Sequence, residues 1–299
     1  MNLLVTGAWQ DAKENISTLE EMGHSVQFLQ YEKDDPPCDY GWVEGIIGNG
    51  IFVYHHIDKF PKLKFIQLTS AGFDRIPLEY VRKQGIEIHN ARGVYSIPMA
   101  EFAVAGVLQI YKQSRFFYEN QREHKWVKHR GVVELFGKKV CMIGCGNVGQ
   151  ECARRFRAFG CSVVGADPYV SYHELFDRMV GMDFLDEAIG ESDVLVLTLP
   201  LTEDTRHMMD ARRLEFMKSG SVLVNISRGA IVDTKALVER LIGGGLLGAV
   251  LDVFEEEPLD TDSRLWNMEN VILTPHNSFV GEGNAERLNK VIYDNLLRM

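Results

Sequence analysis

Short apolar runs alternate with longer, mixed segments along the chain from about residue 140 onward. Such runs are typical of strands buried in a parallel sheet, and apolar residues at every third or fourth position between them indicate connecting helices. We therefore predict an α/β domain with a six-stranded, doubly wound parallel sheet. The predicted strands cover residues 140–143, 162–166, 194–199, 221–226, 248–253 and 271–274, and the predicted helices cover 148–159, 184–189, 205–217 and 233–242.

The first hundred residues repeat this alternation on a smaller scale, which predicts a second, smaller α/β domain of flavodoxin type. A helix that begins near Ser96, with Pro98 in its first turn, is expected to cross into the larger domain. The last helix, 285–297, is expected to return to the smaller one. The predicted domains are 1–97, completed by a C-terminal helix at 283–299, and 98–282. The predicted strands of the smaller domain are 2–6, 25–29, 45–47, 64–68 and 87–89.

Residues 112–135 fit neither pattern. Arg115, Phe116, Phe117 and Trp126 stand there among many charged residues without a clear period. Aromatic residues combined with arginine are typical of protein interfaces, which would make this segment a homodimer contact. A surface connection whose aromatic rings fold back on the domain explains the same residues equally well, so both interpretations stay open.

The chain has 299 residues, of which 45% are hydrophobic and 25% charged, as in ordinary globular proteins. Its formal net charge of −10 argues against nucleic acid or an anionic membrane as the main partner. An anionic substrate would therefore need a cationic residue placed close to it. No apolar run approaches the length that crosses a bilayer, and the N-terminus lacks the basic and apolar regions of a signal peptide.

The cysteines are odd in number, and they show no metal-ligand spacing with the nine histidines. We expect them to be small apolar groups in a reducing cytoplasm rather than members of a disulfide or zinc framework. We accordingly expect a cytoplasmic protein without a metal site. The five cysteines are Cys38, Cys141, Cys145, Cys152 and Cys161.

A glycine-rich segment carries a specific chemical signature. The predicted strand 140–143 runs directly into Gly144-Cys145-Gly146-Asn147-Val148-Gly149. This is the G-x-G-x-x-G turn of a dinucleotide-binding unit. Gly144 permits the tight turn, Gly146 lets backbone approach a pyrophosphate, and Gly149 lets the following helix pack close to the sheet.

The residues around this turn complete the signature. Asn147 and Val148 begin a helix whose N–H groups and positive dipole end would face the phosphates. Asp167 follows 18 positions after Gly149, at the end of the next predicted strand. Its carboxylate can accept both hydroxyls of the adenosine ribose and would repel a 2′-phosphate. The sequence therefore favours NAD over NADP as cofactor.

Polar side chains follow three further strands at the point where each strand ends. Arg228 follows 221–226, Glu255-Glu256-Glu257 follows 248–253, and His276 follows 271–274. The carboxyl ends of parallel strands meet at one edge, where doubly wound sheets bind ligands. Each residue has a plain alternative: an exposed loop arginine, a solvated acidic run, or a loop histidine hydrogen-bonded to backbone. We expect two of the three glutamates to be solvated. Together they predict a catalytic set beside the nicotinamide.

The chain resembles the D-isomer-specific 2-hydroxyacid dehydrogenases over essentially its whole length. This resemblance implies an NAD-dependent oxidoreductase that transfers a hydride between NAD(H) and C2 of a small 2-hydroxy or 2-oxo acid. It also implies that 1–97 binds substrate, that 98–282 binds NAD, and that the cofactor domain and 112–135 form a homodimer. Besides the glycine loop, the motifs that carry it are Ser70-Ala71-Gly72-Phe73-Asp74, Asn90-Ala91-Arg92-Gly93, Ala100-Glu101, Leu135-Phe136-Gly137-Lys138, Leu199-Pro200-Leu201-Thr202, the segments 225–232 and 251–258, and Thr274-Pro275-His276.

By this resemblance, the catalytic roles fall on Arg228, Glu257 and His276. Arg228 would hold the substrate carboxylate and polarise the keto oxygen, and His276 would exchange a proton with that oxygen. Glu257 would hydrogen-bond the other imidazole nitrogen and orient the ring.

The resemblance assigns binding roles as well. The backbone of Ser70, Ala71 and Gly72 would face the substrate carboxylate. Asp252 would contact the nicotinamide carboxamide. The remaining cofactor contacts are assigned to Pro200, Thr205 and Ser227.

Two segments depart from the family pattern, and we expect both to border the substrate: 277–281 and Gly48-Asn49-Gly50. His55 and His56 are expected to be ordinary surface histidines. The sequence leaves the particular 2-hydroxy acid open. It also leaves three alternatives. The first is formate dehydrogenase, which carries glutamine where this chain has Glu257, and the second is an NAD(H)-sensing binding protein of the corepressor type without significant turnover. The third is an allosterically regulated phosphoglycerate enzyme with an appended serine-sensing domain, a domain that we expect to be absent.

Overall fold

The computed structural model describes residues 1–299. The chain divides into two compact units, a small unit of Met1–Tyr95 with Gly281–Met299 and a large unit of Ser96–Val280. The domain limits predicted above, 97/98 and 282/283, lie within two residues of these. No helix combines the length and apolar character needed to cross a membrane.

The small unit is built on a parallel sheet of five strands in the order β2-β1-β3-β4-β5, which is the flavodoxin-like order. Its three internal helices are α1 (Ile16–Glu21), α2 (Ile51–Tyr54) and α3 (Leu78–Gln84). The strands are β1 (Asn2–Thr6), β2 (Ser25–Leu29), β3 (Gly45–Gly48), β4 (Phe65–Leu68) and β5 (Glu87–His89). The predicted flavodoxin-like α/β sheet is confirmed.

The C-terminal helix, Asn284–Leu296, belongs to the small unit. Leu288, Ile292 and Leu296 recur every four residues, so they share one face of the helix, and all three are buried in the core around β1 and β4. At the end of this face Asn295 donates from Nδ2 to Oε1 of the fully buried Gln67, at 2.7 Å. The last residues of the chain therefore complete a core that its first residues begin.

The large unit contains seven parallel strands in the order β12-β11-β10-β9-β6-β7-β8. The predicted doubly wound α/β fold is confirmed, but the prediction of six strands missed one. The missed strand is short, begins with a charged residue and lies at the sheet edge, so it has no continuous apolar run. The strands are β6 (Lys139–Ile143), β7 (Ser162–Ala166), β8 (Arg178–Val180), β9 (Val194–Leu197), β10 (Val222–Asn225), β11 (Gly248–Leu251) and β12 (Val271–Leu273).

Helices connect the strands of the large unit. The helix predicted over 205–217 is wrong in its first half, because α8 begins only after Asp210, whose side chain accepts from the N–H of Arg213 as an N-cap. Before it, Met209 forms an isolated bridge with Val232. The helices are α4 (Ser96–Tyr111), α5 (Ser114–Arg122), α6 (Asn147–Ala158), α7 (Leu185–Glu191), α8 (Ala211–Phe216) and α9 (Thr234–Ile242).

The segment predicted as irregular, 112–135, contains α5 and then a stretch without regular structure. Several of its aromatic side chains are exposed on the surface of the single chain: Trp126 is 96% exposed, and Tyr118 is also exposed. Phe136, just beyond it, is 75% exposed. Phe116 is instead stacked edge-on against Phe117 and His129. The aromatic residues thus divide between a local cluster and an open surface.

Candidate active site

Strand order brings the predicted site residues of the large unit to one edge of its sheet. The glycine loop follows β6 and Asp167 follows β7, whereas the catalytic candidates follow β10, β11 and β12. The chain reverses its winding direction between β6 and β9, which are neighbours in the sheet. Doubly wound sheets bind ligands at such a switch point, outside the carboxyl ends of the strands.

The glycine loop has the geometry that a pyrophosphate requires. Gly144 has φ of +95°, and a methyl group there would lie 2.8 Å from the backbone nitrogen of Leu199. A methyl group on Gly149 would overlap the carbonyl oxygen of Gly144, whereas one on Gly146 would meet nothing within 4 Å. Gly146 also N-caps α6 without a side-chain hydrogen bond. The first turn of α6 therefore presents its N–H groups beside open space.

Asp167 joins the glycine loop to the turn that follows β7. Its Oδ2 accepts from the N–H of Cys145 at 2.8 Å, and its Oδ1 accepts from Tyr169 and Val170 at 2.8 and 3.1 Å. Asp167 also lines a cleft of about 270 Å³ between the turn after β7 and the end of β8. A carboxylate held in this way is ready to accept hydroxyl donors from a ribose.

The loop after β9 packs against the glycine loop. Thr198 donates from Oγ1 to the carbonyl of Gly144 at 2.6 Å. Further along, Thr205 donates from Oγ1 to the carbonyl of Pro200 at 2.8 Å and accepts from the N–H of Thr202 at 2.7 Å. Pro200 and Thr205 thus form one compact turn at the edge where a cofactor would cross.

Arg228 stands at the end of β10 on a backbone that the buried side chain of Asn225 shapes. Asn225 donates from Nδ2 to the carbonyl of Arg228 at 3.0 Å and accepts from both the N–H and the hydroxyl of Ser227. Arg228 itself is half-buried and donates from a guanidinium nitrogen to the carbonyl of Ser227 at 2.8 Å. Its cationic group is thereby held at the strand end.

Asp252, at the end of β11, is fully buried and organises the loop that follows β12. Its carboxylate accepts from the hydroxyl of Thr274 at 2.6 Å and from the N–H groups of Asn277 and Ser278 at 2.7 and 3.0 Å. Its carbonyl accepts from the N–H of His276 at 2.8 Å. Three donors within the chain therefore bind this carboxylate. The sequence predicted only a contact with the nicotinamide and did not predict this structural role of Asp252.

His276 and Glu257 form a hydrogen-bonded pair. Nδ1 of His276 donates to Oε2 of Glu257 at 2.9 Å, and both side chains remain about two-fifths exposed. His276 has φ of +52°, a left-handed backbone that is unusual for a residue with a side chain. A residue keeps such a conformation only when its surroundings enforce it, and residues of this kind cluster at active sites. The pair leaves Nε2 of the imidazole available to a ligand.

The three consecutive glutamates differ in their surroundings. Glu257 also accepts at Oε1 from the N–H of Phe254, at 3.1 Å. Glu255 accepts from Nε2 of His207 at 2.7 Å and from the N–H of Thr234 at 2.9 Å. Glu256 is exposed. The expectation that two of the three are merely solvated is therefore wrong, because Glu255 binds two donors.

The predicted substrate loop lies in the small unit, at the end of β4. The carbonyl of Ser70 accepts from the N–H of Ala91 at 2.9 Å, and the carbonyl of Ala71 accepts from Nδ2 of Asn90 at 2.6 Å. The hydroxyl of Ser70 donates to the carbonyl of Gly72 at 3.1 Å. These bonds occupy the carbonyl groups of Ser70, Ala71 and Gly72.

The two adjacent histidines of the small unit are not equivalent. His56 is exposed and pairs with Asp58, as expected for a surface histidine. His55 is only 4% exposed, so its prediction as a surface histidine is wrong. It contacts the hydroxyl of Tyr40 at 2.9 Å and the carbonyl of Glu32 at 3.0 Å. Its role is to hold together two loops of the small unit.

One edge of the sheet carries the glycine turn, Asp167, and an arginine, a glutamate and a histidine that follow β10, β11 and β12. This fold and site, together with the family comparison, define an NAD-dependent oxidoreductase acting on a CH–OH group. The model of the family described as D-isomer specific 2-hydroxyacid dehydrogenase, NAD binding domain, matches residues 104–278. The chain belongs to this family, and it is an NAD-dependent D-2-hydroxyacid dehydrogenase.

Known proteins of the family are similar over most of the chain. A glyoxylate reductase of Pyrococcus horikoshii is 35% identical over 254 residues, which cover 79% of this chain and 73% of that protein. A hydroxypyruvate reductase of Thermotoga maritima is 36% identical over 233 residues, covering 77% and 74%. The D-lactate dehydrogenase of Aquifex aeolicus, solved with NAD and lactic acid, matches with a TM-score of 0.81 at 28% identity, covering 99% of this chain and 94% of that one.

Proposed function

We propose that this dehydrogenase acts on a small 2-oxo or 2-hydroxy acid and that Arg228, Glu257 and His276 are its catalytic residues. The observation that carries the proposal is the His276–Glu257 hydrogen bond of 2.9 Å, formed by an imidazole on a left-handed backbone at the sheet edge. A histidine oriented by a carboxylate is the usual device for exchanging a proton near neutral pH.

His276 serves as the acid in reduction and as the base in oxidation. Because its Nδ1–H donates to Glu257, Nε2 is the nitrogen that exchanges a proton with the substrate oxygen. NADH, when bound, supplies the hydride that C2 of the 2-oxo acid accepts. Glu257 keeps the ring in one orientation, so the imidazole does not have to reorganise as charge develops on the oxygen.

Arg228 binds the carboxylate of the substrate. A guanidinium can donate two parallel hydrogen bonds to a carboxylate, which fixes orientation as well as position. The chain carries a net charge of −10, so this local cation is what compensates an anionic substrate. The N–H groups of Ser70, Ala71 and Gly72 are proposed as the second set of donors to the same carboxylate, as the family resemblance implies.

A substrate panel tests the proposal. Oxidation of NADH is followed with glyoxylate, hydroxypyruvate, pyruvate, 3-phosphohydroxypyruvate and branched or aromatic 2-oxo acids, and the product is assigned by chiral chromatography. We expect turnover with at least one small 2-oxo acid and a product of D configuration. Tight NADH binding with no turnover on the whole panel would contradict the proposal and favour the NAD(H)-sensing alternative.

We further propose that the protein is a homodimer formed by the large unit and residues 112–135. Trp126 and Phe136 expose large apolar surfaces that a second copy of the chain would cover. Sedimentation analysis should give twice the monomer mass, and Trp126→Ser should weaken the dimer. Tyr172→Ser, which removes a ring that is also highly exposed but lies elsewhere, is the matched control. A monomeric wild-type protein would refute this assignment.

A cytoplasmic location is the remaining part of the proposal. It is supported by five free cysteines, of which four are buried. Free thiols in this number are typical of reducing compartments. Fractionation of cells that produce the protein from its own gene would test it.

A further inference from the structure

A second histidine–glutamate pair shares the turn after β11 with the catalytic pair. Nε2 of His207 donates to Oε2 of Glu255 at 2.7 Å, and Glu255 is two residues before Glu257. The two glutamates belong to one short turn after β11, in which Glu257 also accepts from the N–H of Phe254. This turn therefore offers one carboxylate to His276 and another to His207.

Glu255 binds more than the imidazole. Its Oε1 accepts from the N–H of Thr234, the first residue of α9, at 2.9 Å. Burial alone would raise the pKa of Glu255, but the hydrogen bonds from Thr234 and His207 outweigh it and hold the pKa below the usual range. The carboxylate thus stays charged while it links the turn to two other elements.

His207 is itself held by the turn that follows Arg228. The N–H of His207 donates to the carbonyl of Ala230 at 2.8 Å, and the N–H of Met209 donates to the carbonyl of Ile231 at 3.0 Å. His207 has φ of +48°, so it shares with His276 a left-handed backbone that its neighbours must maintain.

The turn after Arg228 also touches the glutamate turn directly. A methyl group on Gly229 would overlap the carbonyl group of Phe254 and would crowd the nitrogen of Glu255. Two backbones that approach so closely cannot shift independently. The glycine contact and the His207–Glu255 bond therefore join the loops that carry Arg228 and Glu257.

We propose that His207 and Glu255 are positioning residues for the catalytic pair: they lock the turn after β11 onto the Arg228 turn and so set the orientation of Glu257 toward His276. This inference rests on the proposed function of Arg228, Glu257 and His276. Under this proposal Glu255 and Glu257 both serve to orient His276, whereas Glu256 has no part in it.

The test compares Glu255→Ala with Glu256→Ala, the matched control in the same turn. We expect kcat to fall about 10- to 100-fold in Glu255→Ala, because a small misplacement of a catalytic group has effects of this order. The Kd for NADH should change less than threefold, and Glu256→Ala should keep kcat within a factor of two. His207→Ala should resemble Glu255→Ala, and His207→Gln, which restores an N–H donor, should recover part of the loss.

A mutant cycle separates positioning from a merely structural role. If Glu255 acts through Glu257, then Glu255→Ala should lower kcat by a much smaller factor in a Glu257→Gln background than in the wild type. Equal losses in both backgrounds, or a loss in unfolding temperature with unchanged kcat, would overturn the inference. Absence of turnover in the wild type would instead refute the proposed function. His207→Ala removes the same hydrogen bond from the donor side, so it supplies the same comparison if Glu255→Ala does not fold.

Discussion

The three candidate catalytic side chains follow β10, β11 and β12, and contacts from other residues hold each of them in place. Arg228, Glu257 and His276 could be proposed because parallel strands end at one edge and each residue follows such a strand. The supporting contacts could not be predicted. His207 reaches Glu255 from another loop, 48 residues away in sequence. Asn225 is only three residues from Arg228, but no spacing rule identifies its buried side chain as the support of the Arg228 backbone.

At His276 the expected result of substitution is a loss of chemistry with retention of cofactor binding. His276→Ala removes the proton donor, and general acid–base catalysis typically contributes 10²- to 10⁴-fold, so kcat should fall by roughly that factor. The Kd for NADH, measured by fluorescence titration, should stay within a factor of three. His56→Ala, at an exposed histidine of the small unit, is the control. Turnover within threefold of the wild type would remove His276 from the mechanism.

We expect Asp167 to set the preference between the two nicotinamide cofactors. Asp167→Ser removes a negative charge that repels a 2′-phosphate, and it also removes a strong acceptor for the ribose hydroxyls. Hydrogen bonds to a charged group contribute roughly 1.5–3 kcal/mol to the binding free energy. The ratio of kcat/KM for NADH to that for NADPH should therefore fall at least tenfold. Asp167 also binds the N–H of Cys145, so the unfolding temperature must be measured alongside. If a folded Asp167→Ser variant keeps the wild-type ratio of kcat/KM for NADH to that for NADPH, then another residue discriminates between the two riboses.

At the scale of elements, the strands were easier to predict than the segments between them. Every predicted strand exists, because buried parallel strands have continuous apolar runs. The first half of the helix predicted over 205–217 is wrong because hydroxyl groups compete for the backbone there: Thr205 binds the carbonyl of Pro200 and the N–H of Thr202.

The glycine loop gives a paired prediction. Gly149→Ala places a methyl group on the carbonyl oxygen of Gly144, so the free energy of unfolding should fall by roughly 1–3 kcal/mol, the usual range for overpacking. Gly146→Ala meets no protein atom within 4 Å, and φ of −72° suits alanine, so stability should be retained. Its methyl group would instead obstruct the pyrophosphate, and the Kd for NADH should rise at least tenfold.

Urea unfolding and NADH titration of the two alanine variants check this pair. The outcome that would contradict it is a reversal, in which Gly146→Ala unfolds early and Gly149→Ala binds poorly while remaining stable. Two variants that both bind NADH as well as the wild type would show that the loop does not contact the cofactor.

At the scale of the whole molecule, the thiols give the fold a pH dependence. Burial raises the pKa of Cys141 and Cys152 to about 12 and that of Cys161 to about 11, and it raises the pKa of Cys145 further. In the unfolded chain these thiols lose their protons near pH 9, whereas in the folded chain they keep them. The unfolded state is therefore favoured increasingly above about pH 9.

The predicted consequence is a loss of stability between pH 9 and pH 10.5. Each buried thiol should lower the free energy of unfolding by up to about 1.4 kcal/mol per pH unit in this range. Cys152→Ala should make the dependence of the free energy of unfolding on pH less steep, by the contribution of one thiol. Ala153→Gly, at a buried neighbour in the same helix, should lower stability without changing the slope. Urea unfolding followed by circular dichroism measures both, and identical slopes in wild type and Cys152→Ala would contradict the prediction.

The placement of the C-terminal helix has a consequence for the order in which the protein acquires its structure during synthesis. The ribosome makes residues 1–95 first, yet their core lacks Leu288, Ile292 and Leu296 until translation has passed through the whole large unit. The cofactor-binding half can thus fold while the nascent chain still awaits its final helix, and the half made first becomes native last. Loss of residues 281–299, for example through a premature stop codon, would damage the unit built on residues 1–95 rather than the unit of residues 96–280.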